Sequence, residues 1–189
     1  MRLAIGGTLA TFHGRFARAP LLEDRVVQSV RRRLEAVGID PEVHPPSSEV
    51  LAQSLLQGDS FPRRSEADDL CHLLALKTLV PWSVADCSRL HPPLSFRLGR
   101  EGESLQVAGQ EVAVAGWPVL ADARQVVASP LLDEGAALPA EADEVLLTCF
   151  QPADVAEVVA AKVHLARFVV MTWAFRFVEE RAVAAGAGR

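Results

Sequence analysis

The chain has 189 residues, half of them hydrophobic and 23% charged, which is enough apolar content to bury one substantial core and excludes disorder throughout. A formal net charge of −5 excludes a global basic field that would gather nucleic acid, so any RNA contact has to be local. Cys71, Cys87 and Cys149 form no C-x-x-C pair and leave one thiol unpaired even if two were bridged, which fits a reducing cytoplasm.

The opening residues break at Gly6-Gly7 and lack the apolar run of a secretory leader, so no export is expected. Over 21–37, apolar residues at Leu22, Val26, Val30, Leu34 and Val37 follow a spacing of three and four, which predicts an amphipathic helix ended by Gly38. Its Arg31-Arg32-Arg33 run could touch phosphate, although Glu23, Asp24 and Glu35 nearby favour a solvated face. Pro41, Pro45 and Pro46 interrupt regular structure, after which Ser47 or Ser48 caps a second helix reaching 57, with Glu49 in its first turn. A loop over 58–64 leads to a third helix over 66–80, which Pro81 terminates.

The period then changes to two. Segments 94–98, 104–107 and 111–114 alternate apolar and polar residues around Gly102 and the Ala108-Gly109-Gln110 turn, predicting a meander. Further strands are expected at 119–121, 125–128 and 144–150, and Pro152-Ala153-Asp154 opens a last helix. The expected fold is one α+β domain over 1–189: N-terminal helices, central mixed or antiparallel sheet layers packed by helices, and a long C-terminal helix over 153–183. Within that helix His164, Arg167 and Arg176 interrupt the apolar run over 163–178, so no membrane span is expected. Its apolar residues surround nearly the whole circumference, which predicts a homodimer covering the second face.

The segment from Asp69 through Pro81 to Asp86, the Val119-Leu120-Ala121-Asp122 strand end and Val145–Pro152 resemble, in order, the tRNA-editing (B3/B4) domain of the phenylalanyl-tRNA synthetase β subunit. Gly38-Ile39-Asp40-Pro41 and Pro45-Pro46-Ser47 resemble the entry of its stand-alone form. The resemblance covers roughly 38–155 and implies a tRNA- or RNA-binding protein that hydrolyses mischarged aminoacyl-tRNA in trans, holding tRNA weakly. The alternative is a non-catalytic module with a degenerate site for a small ligand or protein partner. The sequence departs from the family at His72, where Asn is usual, at Ser83, at the Ala128-Ser129-Pro130 stretch and at Leu146, where a polar recognition residue would stand.

Ester hydrolysis needs a positioned water and oxyanion donors, with no obligatory metal or cofactor. His72 lies three and four residues after Asp69 and Asp68, whose carboxylates could orient it as a general base; the alternative is a helix histidine tied locally for stability. Asp86 either serves the site or holds its own turn, and Ser83, without a neighbouring base, is at most a hydrogen-bond donor. Trp82, Asp122, Ala128, Ser129 and Leu146 complete the expected pocket as substrate contacts. No histidine pair has ligand spacing, so no metal site is expected.

Overall fold

The computed structural model describes residues 2–133 and 144–171. Its architecture is α+β, with N-terminal helices and several small antiparallel sheets packed with helices.

The first helix, α1 (Arg2–Phe16), precedes anything the periodicity marked. Gly6, Gly7 and Gly14 each cost about 1 kcal/mol relative to alanine in a helix. Tertiary burial offsets that cost: Phe12 enters the main core, and Leu9 and Phe16 pack against it. The helix expected over 21–37 divides into a short 3₁₀ turn and α2 (Arg25–Glu35), because the Asp24 carboxylate accepts the Val26 amide at 2.9 Å and starts the helix there. Val26, Val27 and Val30 of α2 face the same core as Phe12.

Helix α3 (Ser47–Leu56) has no side-chain cap. Ser47 instead donates its amide to the Pro130 carbonyl at 2.9 Å, and Ser48 is buried, so neither serine performs the expected capping role. Helix α4 (Glu66–Thr78) is capped by Ser65, whose hydroxyl accepts the Asp68 amide. It ends before Pro81, at Leu79, whose left-handed φ of 63° turns the chain while its amide returns to the Ala75 carbonyl at 2.7 Å. That conformation costs a non-glycine residue about 1–2 kcal/mol, a cost offset by a Leu79 side chain only 2% exposed in the main core.

Trp82–Asp86, read from sequence as a turn motif, is the strand β1. In chain order follow β2 (Ser95–Leu98), β3 (Ser104–Val107), β4 (Gln110–Ala113), β5 (Pro118–Ala121), β6 (Val126–Ala128) and β7 (Val145–Cys149). β1 pairs with β7, β3 with β4, and β5 lies between β2 and β6, all antiparallel. The expected meander is therefore corrected: of its three strands β3 and β4 pair as a hairpin, and β2 leaves them to pair with β5. Gly99, at the exit of β2, shows why. Its amide donates to the Trp117 carbonyl at 2.7 Å, and a Cβ on it would lie 2.0 Å from the Val114 carbonyl oxygen, so the chain passes where no side chain fits.

At the C-terminal end, 153–155 is a 3₁₀ turn and α5 spans Ala156–Met171, 16 residues. The long helix expected over 153–183 is thus shorter in its described part, and its continuation beyond 171 lies outside the described residues. Val155 and Val159 enter the main core, with Val163 packed against it. No helix among the described residues is long and apolar enough to cross a membrane.

Candidate functional site

The structure distributes the eight expected site residues over three elements. The β1–β7 ribbon carries Trp82, Ser83, Asp86 and Leu146, with Ser83 opposite Thr148 and Leu146 opposite Ala85. The end of β5 and β6 carry Asp122, Ala128 and Ser129. Helix α4, packed on β1, carries His72. The segment over 87–91 connects the two sheets, with Asp86 at its start and Asp122 receiving its end.

Both aspartates are committed to the backbone. Asp86 Oδ1 accepts the Ser88 amide at 2.9 Å and the Ser88 hydroxyl at 2.7 Å, and these bonds hold its carboxyl below the ordinary value against the effect of burial. Asp122 Oδ1 accepts the Arg124 amide at 2.7 Å and the Gln125 amide at 2.8 Å, while Oδ2 accepts the His91 amide at 2.9 Å. Burial pushes the Asp122 carboxyl up, but the backbone donors outweigh it and hold it below the ordinary value. Arg124 in turn donates to His91 Nε2 at 2.8 Å. These geometries are those of turn-locking aspartates.

The other residues are occupied as well. The Ser129 hydroxyl donates to the Pro118 carbonyl at 2.9 Å. Ala128 is 1% exposed and offers no surface to a ligand. The Trp82 indole N–H donates to Thr78 Oγ1 at 3.0 Å, and its ring packs between Leu70 and Leu74 of α4 and Leu147 of β7, joining helix to ribbon. Leu146 is half-buried on the same ribbon. Ser83 is buried, and no base among the described residues hydrogen-bonds its hydroxyl. Burial also keeps the thiols protonated: Cys149 is pushed up to about 12, and Cys87 is raised by burial, then by Glu144 and Asp86.

His72 is oriented by a group the sequence reading missed. Its Nε2 lies 3.2 Å from Asp133 Oδ2, and the Phe61 ring meets the imidazole edge-on at 5.8 Å. Asp133 also accepts from Arg64 Nη1 at 3.1 Å; burial raises its carboxyl, but His72 and Arg64 outweigh that and leave it lowered. Asp69 and Asp68, expected to orient the imidazole, do not: Asp69 pairs with Arg63 Nε at 2.6 Å, and Asp68 accepts from the Ser65 hydroxyl at 2.6 Å. No local pattern pointed to Asp133, which stands 61 residues from His72. An ionised carboxylate accepts only, so Nε2 carries a proton, and in the neutral imidazole the lone pair sits on Nδ1. Nδ1 is buried and has no hydrogen-bond partner among the described residues.

Within the arginine run only Arg31 is closely paired among the described residues, and Arg32 and Arg33 stay exposed. Arg31 pairs with Glu49 at 2.9 Å and with Glu42, and Arg32 and Arg33 both approach Asp154. No group of three or more metal-ligating side chains occurs among the described residues. A cleft of about 330 Å³ lies elsewhere, between α1 and α4, and none of the eight expected residues lines it. No family model, curated protein or solved structure matches the chain. The editing-domain likeness consequently rests on the short motifs and their order.

Proposed function

We propose that the chain is a binding module on an editing-domain-like scaffold, taking a small ligand and lacking a hydrolytic centre of its own. The observation that carries this reading is the commitment of the polar groups around the expected site. Asp86, Asp122 and Ser129 satisfy backbone donors and acceptors, the His91 ring takes the Arg124 guanidinium, and His72 turns Nδ1 into the interior. A general base has to reach the proton it removes, directly or through one water. Nucleic acid is also poorly served, because the net charge is negative and the exposed pair Arg32 and Arg33, beside Asp154, offers few cations to displace counterions from phosphates.

A second reading, a trans-acting hydrolase of mischarged aminoacyl-tRNA, is favoured by one observation: the His72–Asp133 pair resembles an oriented imidazole–carboxylate dyad. In such a dyad the carboxylate holds one ring nitrogen and the other takes the proton, so this reading requires a rearrangement that brings Nδ1 to substrate or water. Deacylation assays with a panel of mischarged tRNAs separate the two readings. The binding reading predicts no acceleration over buffer, and weak tRNA retention with a shallow salt dependence. Acceleration that falls more than about tenfold in His72→Ala, the size general bases usually supply, establishes the hydrolase and overturns the binding reading.

A further inference from the structure

The cleft between α1 and α4 combines an apolar wall with a cationic rim, in a protein whose overall charge is negative. Phe12 on one side and Leu70, Leu73 and Leu74 on the other form the wall, while Arg15 and Lys77 line it too. Its volume of about 330 Å³ falls at the lower end of ordinary small-ligand sites, about 300–1,000 Å³. Gly7 opens the α1 side: it lines the cleft, and a Cβ there would meet nothing within 4 Å.

The charges around the cleft are unequally matched. Arg15 is paired with Asp24 and lies over the Phe16 ring at 4.9 Å. Lys77 has no ion pair among the described residues. Lys162 of α5 stands near the same Arg15, and burial, then the Arg15 charge, lower its ammonium below the ordinary value, with Asp24 acting the other way. Asp24 thus offsets Arg15, and Lys77 is the cation of the lining that no acid among the described residues pairs, open to an anion.

We propose that this cleft binds an amphipathic carboxylate, with its apolar tail between Phe12 and the α4 leucines and its carboxylate held by Lys77. The tail gains from leaving water along the leucine wall, and the headgroup supplies the charge that the rim lacks. The site deepens the binding-module reading by naming its ligand class, yet it uses none of the residues of the expected editing site.

The test uses the full chain with decanoate and with decanol, which share a tail and differ in charge, followed by calorimetry and amide NMR. Decanoate is expected to saturate with shifts at Thr8, Thr11 and Lys77, and decanol to bind at least about tenfold more weakly. Lys77→Gln should weaken decanoate about tenfold and leave decanol unchanged. Gly7→Leu should abolish both while raising thermal stability, since it fills the cleft and removes a helical glycine. Absence of saturable decanoate binding overturns the proposal, as do equal affinities for decanol and decanoate or unchanged binding in Gly7→Leu. A chain that fails to bind decanoate and still does not deacylate loses the cleft assignment alone; one that binds decanoate and also deacylates loses the non-hydrolytic reading alone.

Discussion

Replacing Asp122 separates a turn-locking aspartate from a substrate-binding one. In Asp122→Ala three backbone N–H groups lose their acceptor: those of His91, Arg124 and Gln125. Arg124 and Gln125 are exposed, so water replaces the carboxylate there and each loss costs about 1 kcal/mol. The His91 amide joins the two sheets beside a side chain buried to 8% exposure, and leaving it unpaired costs about 1–3 kcal/mol. The sum is about 3–5 kcal/mol. Asp122→Asn is intermediate, because its oxygen still serves Arg124 and Gln125 while its NH₂ meets the His91 N–H donor to donor. The pH dependence has a definite sign. The carboxyl is depressed in the folded state, so its stabilisation is complete above the ordinary aspartate range and is lost as pH falls through the folded value. Denaturant unfolding of the wild type should accordingly show a steeper acid-side slope than Asp122→Asn, which keeps the contributions of the other depressed carboxyls such as Asp86, Glu103 and Asp133. A destabilisation below about 1 kcal/mol in Asp122→Ala, or identical acid slopes in wild type and Asn variant, would refute the assignment.

Gly99→Ala places a Cβ against the Val114 carbonyl and should cost at least about 2 kcal/mol by denaturant unfolding; a neutral outcome means the chain does not cross there. The raised thiols of the half-buried Cys87 and Cys149 predict slow alkylation at mildly alkaline pH in the native state and rapid alkylation in denaturant, and prompt native reaction of Cys149 contradicts its raised thiol. Self-association through the C-terminal helix predicts about twice 20.4 kDa by light scattering. A monomer at high concentration eliminates the homodimer.

The fold class was legible because hydrophobic periodicity survives wherever an element has one wet face. Helix α2 and the β3–β4 hairpin show this, with Val26 and Val30 at helical spacing and a turn marked by Gly109. Elements decided by tertiary contact were not legible. Helix α1 carries three glycines and is held by Phe12 reaching the core, and β1 is a strand because Trp82–Asp86 finds Cys149–Val145 across the ribbon. The site shows the same division. Asp86 was identifiable as a turn aspartate from neighbouring residues, whereas Asp122 was expected to contact substrate, the partner of His72 comes from a distant loop, and the nearer Asp68 and Asp69 are drawn away by Ser65 and Arg63. The α1–α4 cleft was invisible for the same reason as α1.

The inward-turned imidazole is the point on which the functional reading depends, and long-range ¹⁵N correlation of His72 at about pH 8, where free imidazoles are neutral, tests it directly. The structure predicts the Nε2–H tautomer, coupled to Asp133 and lost in Asp133→Ala, with an Nδ1 that stays unprotonated and sheltered when mischarged tRNA is added. An Nδ1–H tautomer with its Nε2 lone pair open to solvent or substrate would contradict the account and restore His72 as a general base.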